Sequence, residues 1–389
     1  MADDHFSTDY GIIPDETDRH LALPSEMVSN GLELAIRIEK RQGLAKYNKP
    51  ILKFPGVLKG SCIHFSRDGK FVAITSYGKQ KDNPGLVVWN VVMKGSLSIF
   101  PEAGLEGTGP RHIYSVALSQ HGDLALIGYG DGSLYRSDIV DHVIRNYSMI
   151  DKDPYPHQVS AITFSPDDRY FADCTGPVVR IRETESGKEI QRWQAYNPYY
   201  NQIAFSDDGS KLLIAHGEQT VYKGWGSNFL TLLDLSGKQA PVFFGGDRIR
   251  DASAVAISPD NQNVVSLDSE GIITVWNATT SDEMSHWSHA KSSSNVDNNI
   301  ISKRQVGPNL TMVTTNPVIW GLSSIAISPD GRRILSGGAD HYMRLWTLNG
   351  HELWEYPHDS RVVKVAFTPD GRHALSGCWD GSVYLWGLP

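Results

Sequence analysis

One phrase of alternating apolar and polar residues, followed by a tight turn, recurs seven times along the chain. Its clearest copies are SIAISPDGRRILS, which starts at Ser324, and KVAFTPDGRHALS, which starts at Lys364. Alternation with a period of two predicts a strand with one buried face, and Ser-Pro-Asp-Gly predicts a tight turn into a second strand. The turn begins at Ser66, Ser119, Ser165, Ser206, Ser258, Ser328 and Thr368. The successive spacings are therefore 53, 46, 41, 52, 70 and 40 residues.

A third predicted strand, rich in β-branched and aromatic residues, follows the first two in each unit. Clear examples end at Asn90, Asn277, Thr347 and Gly387. A looser fourth strand precedes the next unit, as in GKEIQRW and GHELWEY. Antiparallel strands that repeat about every 40 residues indicate the blades of a β-propeller. We therefore expect an all-β fold class, a seven-bladed β-propeller with an N-terminal extension.

The seventh unit lacks a fourth strand of its own after Gly387, so this strand has to come from elsewhere. The segment PILKFPG at residues 50–56 immediately precedes the first unit, and we expect it to complete the last blade and close the ring. Residues 50–389 would then be the propeller. Residues 1–49 would be an extension with an acidic tail at 1–24, then a short helix or strand. The longest spacing predicts an insertion at about 280–316.

The last three units carry polar and aromatic residues at matching offsets. The seventh unit has His358, Ser376, Asp380 and Trp386, the sixth has Ser336, Asp340 and Trp346, and the fifth has Ser266, Glu270 and Trp276. At these positions the chain resembles the WD40 repeat family, whose blades carry a His, a Ser or Thr, an Asp and a Trp. The resemblance covers roughly residues 50–389. It implies a network inside each blade that ties neighbouring strands together, with Glu270 standing in for Asp.

The earlier units depart from the family pattern. The second unit retains Asp131 but has Ser137 where the family has Trp, and the third has Arg182 near that position. At the ends of third strands, Trp-Asn, Trp-Thr and Trp-Gly replace the Trp-Asp dipeptide. The last two units, with their short loops, are similar to bacterial members of the family, which favours a bacterial type.

Composition and charge narrow the class of protein. The chain has 36 Lys and Arg against 44 Asp and Glu, a net charge of −8, which disfavours a nucleic-acid partner. No run of 18 apolar residues predicts a membrane-spanning helix, and the acidic first residues do not resemble a signal peptide. Cys62, Cys174 and Cys378 stand alone without a paired framework. A reduced, cytoplasmic location is therefore expected.

Motifs for catalysis and cofactor binding are scarce. The chain contains no GxSxG, no HExxH, no phosphate-binding P-loop and no dinucleotide-binding fingerprint. His286 and His289 form a His-x-x-His pair, which we interpret as two solvated histidines of a fourth strand rather than a metal site, because no third ligand lies nearby. The sequence therefore predicts no catalytic residue, no cofactor and no metal.

The residues most suited to partner binding lie before each first strand and in the turns between second and third strands. By register these positions surround one mouth of the central channel, and Arg, Trp and Tyr are typical of interface hot spots. The candidates are Arg111, His157, Tyr199, Arg250, Trp320 and Trp379. The family resemblance implies a non-catalytic protein–protein interaction scaffold, a subunit or adaptor of a larger assembly. The alternative is a propeller enzyme, such as a hydrolase or lactonase-like enzyme, although the register places no acid, base or metal ligand at the channel.

Overall fold

A computed structural model describes residues 49–389 with gaps. The gaps are residues 55–59, 77–83, 92–94, 102–112, 141–142, 153–156, 195–199, 217–227, 246–251, 290–299, 308–309 and 316–323. The acidic tail expected at 1–24 and the helix or strand expected after it lie outside the described residues. The described strands form seven four-stranded sheets and one two-stranded hairpin. Each four-stranded sheet is a blade, and its strands are numbered first to fourth from the channel outward.

The first four blades follow one another along the chain. A short strand, β1, spans Leu52–Phe54. Blade one comprises β2 (Gly60–Phe65), β3 (Phe71–Ser76), β4 (Pro84–Asn90) and β5 (Gly95–Pro101). Blade two comprises β6 (Ile113–Leu118), β7 (Leu124–Tyr129), β8 (Ser133–Val140) and β9 (Val143–Lys152). Blade three comprises β10 (Val159–Phe164), β11 (Tyr170–Thr175), β12 (Val178–Glu183) and β13 (Glu189–Gln194). Blade four comprises β14 (Tyr200–Phe205), β15 (Lys211–His216), β16 (Asn228–Asp234) and β17 (Val242–Gly245).

Among the last three blades, a hairpin lies between blades five and six in the chain. Blade five comprises β18 (Ala254–Ile257), β19 (Asn263–Leu267), β20 (Ile272–Asn277) and β21 (Glu283–Ser288). The hairpin consists of β22 (Ile300–Gly307) and β23 (Leu310–Thr315). Blade six comprises β24 (Ser324–Ile327), β25 (Arg333–Gly337), β26 (Tyr342–Thr347) and β27 (Glu352–Pro357). Blade seven contains β28 (Val362–Phe367), β29 (His373–Cys378) and β30 (Val383–Gly387). Because Glu283–Ser288 belongs to blade five, the insertion starts later than the expected residue 280.

The turn between the first and second strands is built in the same way around the ring. In blade one the Ser66 hydroxyl donates to Asp68 at 2.7 Å and accepts the backbone N–H of Phe71 at 2.9 Å. Gly69 has φ of +71°, a left-handed conformation that glycine adopts without strain. Equivalent hydroxyl bonds are made by Ser165, Ser206, Ser258, Ser328 and Thr368. Ser119 accepts the matching N–H but donates to Asp123, four residues later instead of two. These local bonds explain why the phrase marks a turn wherever it occurs.

The blades form a closed ring. The first strand of each blade contacts the first strand of the next, and β28 of blade seven contacts β2 of blade one. The core lies between facing sheets, as where Leu375 and Leu385 of blade seven pack with Ile63 and Val72 of blade one. β1 pairs antiparallel with β30, with Leu52 opposite Leu385, so the fourth strand of blade seven comes from the beginning of the described chain.

Candidate functional site

In blade seven, hydrogen bonds join three of the four expected network residues. Trp386 Nε1–H donates to Ser376 Oγ at 2.9 Å, and Ser376 Oγ lies 2.7 Å from His358 Nε2. His358 Nδ1 lies 2.9 Å from the carbonyl oxygen of Tyr356, so Nδ1 carries the hydrogen and Nε2 accepts from the Ser376 hydroxyl. Burial lowers the pKa of His358 to about 4, so the ring is neutral near pH 7. Asp380 accepts a backbone N–H at 3.0 Å within its turn.

Blade six completes its network with His289. The side chain is buried, with Nδ1 2.8 Å from Ser336 Oγ and Nε2 3.1 Å from Asp340 Oδ1. Trp346 Nε1–H donates to Ser336 Oγ at 2.7 Å. Burial alone would raise the pKa of Asp340, but His289 and Arg344 beside it outweigh burial and lower the pKa to about 2. The expectation that His289 is solvated is therefore wrong, because the side chain lies inside this network.

Blade five uses a different carboxylate from the one that the sequence suggests. Trp276 Nε1–H donates to Ser266 Oγ at 3.0 Å, as in the two blades that follow. The turn N–H groups of Glu270 and Ile272 both donate to Asp268 Oδ1, at 3.0 and 2.8 Å. The Glu270 side chain is exposed, whereas Asp268 is buried. Asp268 therefore accepts turn N–H groups as Asp340 and Asp380 do in the next two blades, whereas Glu270, to which we assigned this place, is exposed.

Blade three replaces the Trp–Ser hydrogen bond with an ion pair. Arg182 lies opposite Phe171, just as Trp386 lies opposite Ala374 in blade seven. Its Nε–H donates to Asp173 Oδ1 at 2.8 Å, and both side chains are almost fully buried. Arg182 also pairs with Asp151 at the end of β9. The third blade is thus bound together by charge, at the position where other blades use an indole.

Two of the six candidate partner-binding residues are described. The connections before first strands and the turns between second and third strands lie on the same side of the ring, because adjacent strands are antiparallel. We call this side the top face. His157 lies two residues before β10, and Trp379 lies in the turn between β29 and β30, so both belong to the top face. Arg111, Tyr199, Arg250 and Trp320 lie outside the described residues.

His157 and Trp379 are both half-buried. The His157 ring lies against Gly176, where an added Cβ would be 2.7 Å from the ring carbon Cγ. The backbone N–H of Trp379 donates to the carbonyl of Arg361 at 2.9 Å, which joins its turn to the connection before β28. The first contact packs His157 against a turn of blade three, and the second fixes the backbone of Trp379.

Tyr114 of β6 is a further aromatic residue of the top face that sequence reasoning missed. Its side chain is 41% exposed, and it lines the mouth of the central channel. The ring covers Gly130 in the turn between β7 and β8, where an added Cβ would lie 2.6 Å from the tyrosine. Counting back from the turn led instead to Arg111, three positions earlier. In the sequence, the glycine at position 130 was the signal that another side chain packs over this turn.

The central channel has a volume of about 320 Å³ and is lined from all seven blades. The sequence register placed no acid or base there, but the structure brings Cys62, His64 and Lys364 to its wall. Burial raises the pKa of the Cys62 thiol, lowers that of Lys364 and lowers that of His64 to about 3. Cys62 is therefore a protonated thiol and His64 a neutral imidazole near pH 7. This environment stabilises the neutral thiol of Cys62 rather than a thiolate nucleophile.

The fold is a seven-bladed β-propeller, and the hydrogen-bond networks of its last blades are of the WD40 type. The family model described as WD domain, G-beta repeat matches residues 314–347 and 348–387. Among solved structures of similar fold is a chain from the crystal structure of a mitotic checkpoint complex. It has a TM-score of 0.64 and 16% identity, over 88% of this chain and 92% of that chain. No curated protein sequence matches the chain significantly. The described part of the chain has no long apolar helix that could cross a bilayer.

Proposed function

We propose that the protein is a non-catalytic scaffold that binds another protein through its top face, as a subunit or adaptor of a larger cytoplasmic assembly. The observation that carries this proposal is Tyr114, a large aromatic side chain that is 41% exposed on a rigid strand. Tyr and Trp contribute most to binding energy at protein interfaces because they bury a large area with few rotatable bonds. Trp379 would extend the same surface on blade seven.

Two further findings support a scaffold. The WD40 repeats of the last blades belong to a class of ring that mostly serves as a platform for assembly. A chain of similar fold comes from a mitotic checkpoint complex, so this architecture is compatible with a place in a multi-protein complex. The bacterial type suggested by the short loops remains a part of this proposal.

The chemistry of the partner follows from the candidate residues. Arg111 and Arg250 would suit an acidic or phosphorylated peptide, because guanidinium groups bind carboxylates and phosphates through paired hydrogen bonds. His157, Tyr199 and Trp320 would contribute aromatic contact around the channel mouth. A net charge of −8 argues against a nucleic-acid backbone as the ligand.

The test compares two top-face variants with a matched variant on the rim. The tagged protein is purified from its own cells after mild cross-linking, and cross-linked peptides are identified by mass spectrometry. Tyr114→Ala and Trp379→Ala are expected to lose the partner while they keep the melting temperature close to that of the unmodified protein. The control is Phe243→Ala on β17, because Phe243 is 44% exposed but lies on an outer strand.

Loss of the partner in both top-face variants, with retention in the control, would support the proposal. Normal binding by both top-face variants would contradict it, as would cross-links confined to the outer strands. If the purification recovers no stoichiometric partner, the result would favour the alternative of an enzyme with its site at the channel mouth. Screening of ester and lactone hydrolysis would then be the next measurement.

A further inference from the structure

Three side chains at the wall of the central channel use an acceptor atom to bind a backbone N–H of the neighbouring blade, which leaves their donors for the channel. His64 Nδ1 accepts the backbone N–H of Leu118 at 3.2 Å, from the neighbouring blade. Because the ring is neutral, its other nitrogen carries the hydrogen and is a donor. Gln202 uses its Oε1 in the same way, accepting the backbone N–H of Val255 at 3.0 Å. Its side-chain amide N–H groups are then available as donors to the channel.

Ser324 repeats this arrangement between blades six and seven. Its Oγ accepts the backbone N–H of Val365 at 3.1 Å, which leaves the hydroxyl hydrogen to donate. Lys364 lies next to Val365 in the chain and brings an ammonium group to the channel wall, beside His64 and Cys62 of blade one. No Asp or Glu is present among the described residues that line the channel.

A positive group in such a place is unfavourable unless something negative accompanies it. Transferring an ammonium group out of water costs several kcal/mol in proteins. Consistent with this, burial lowers the pKa of Lys364. The channel volume of about 320 Å³ is large enough for a small ligand, since ligand sites of small molecules begin near this size.

We infer that the central channel is a binding site for a small oxoanion, a phosphate or a carboxylate, which Lys364 holds as counter-ion and which His64, Gln202 and Ser324 surround with N–H and O–H donors. The site is distinct from the exposed surface of the top face, and it does not depend on the proposed partner. Tyr114 belongs to both, because it lies at the channel mouth.

The test is a calorimetric titration of the full chain with sodium phosphate and, separately, sodium acetate, at constant ionic strength in sodium chloride. Lys364→Met removes the charge and keeps the length of the side chain. The control, Lys238→Met, removes an equal charge from an exposed turn between β16 and β17. Lys364→Arg retains a cation at the channel wall. Circular dichroism of each variant checks that the fold is intact.

Saturable binding of either anion by the unmodified protein is expected, with affinity at least about tenfold weaker in Lys364→Met, unchanged in Lys238→Met and retained in Lys364→Arg. Stronger binding of phosphate would identify a tetrahedral ligand, and stronger binding of acetate a carboxylate. The inference is overturned if neither anion binds, if chloride competes equally well, or if Lys364→Met binds as the unmodified protein does. Lys364 is half-buried, and because the substitution removes a partly desolvated charge, Lys364→Met is expected to fold at least as well as the parent.

Discussion

The buried Arg182–Asp173 pair of blade three allows the sharpest quantitative prediction. Arg182 and Asp173 are only 6% and 1% exposed, and their atoms lie 2.8 Å apart. In the same blade Arg192 and Glu189 lie 2.7 Å apart, but Arg192 is 57% exposed. The two pairs have nearly equal N···O distances and differ in burial; Arg192 binds both oxygens of Glu189, whereas Arg182 divides its donors between Asp173 and Asp151. They therefore separate the effect of burial from that of distance.

Replacing Arg182 by Met leaves the Asp173 carboxylate buried with less compensation. Removing one partner of a buried ion pair costs about 3–5 kcal/mol, whereas removing one partner of an exposed pair costs about 0.2–1 kcal/mol. We expect Arg182→Met to destabilise the protein by the larger amount and Arg192→Met by the smaller. The double variant Asp173→Asn/Arg182→Met should be destabilised by roughly 2 kcal/mol less than the sum of its single changes, because it no longer leaves the Asp173 carboxylate buried without Arg182.

The assay is urea-induced unfolding at pH 7, followed by tryptophan fluorescence and by far-ultraviolet circular dichroism. Repeat proteins can unfold in stages, so free energies are compared only where the two signals give coincident transitions. Otherwise the midpoints of the first transition are compared. Equal effects of Arg182→Met and Arg192→Met, or strictly additive effects in the double variant, would refute the reasoning that burial makes this pair essential to blade three.

Two further predictions concern the ring and its histidines. Deletion of residues 50–56 should cause aggregation, because it removes the strand that pairs with β30, whereas deletion of residues 1–24 should leave the melting temperature unchanged; equal melting of both truncations would contradict this role. Burial lowers the pKa of His216 and of His358 from 6.5 to about 4. The unfolded chain therefore binds protons first as the pH falls, and stability should decrease between about pH 6.5 and about pH 4, by at most ~3 kcal/mol for each histidine. Unfolding measured at pH 7 and pH 5, with His358→Gln as the comparison, checks the sign, and a flat profile would be inconsistent with it.

The strand pattern could be predicted from the sequence because its determinants are local. Each first turn depends on a hydroxyl, a carboxylate and a backbone N–H that lie within five or six residues of one another, as with Ser66, Asp68 and Phe71. Tight turns of this kind therefore need the same residue types in every copy of the repeat. Third strands such as Tyr342–Thr347 were equally clear, because their apolar residues are buried against neighbouring blades, as with Leu345 and Trp346.

His289 shows where sequence reasoning failed. It bonds Ser336, which lies 47 residues later, across the segment that separates blades five and six. Counting back from the sixth turn could not find it. Both network histidines directly follow a fourth strand, His289 after β21 and His358 after β27. The useful reference point was therefore the end of the preceding blade rather than the start of the following one.

The interpretation of blade three from its sequence failed for a different reason. Sequence reasoning interpreted Arg182 as a departure from the family pattern, because Arg and Trp have unlike chemistry. In the structure the two side chains serve the same purpose, since each donates an N–H to the second strand of its blade. The substitution of Asp173 for the serine was the signal, because a buried Asp requires a cation beside it.

The pairing of β1 with β30 also has a consequence for how the protein is made. Leu52 and Leu385 lie about 330 positions apart, yet they are neighbours in the same sheet. At a synthesis rate of about 5–20 residues per second, β1 is complete roughly 15–70 s before β30 exists. During this time β1 has no partner strand, whereas each of the other six described blades can assemble from strands made one after another. Blade seven is therefore the last to be completed, and the ring closes only when translation has passed residue 387.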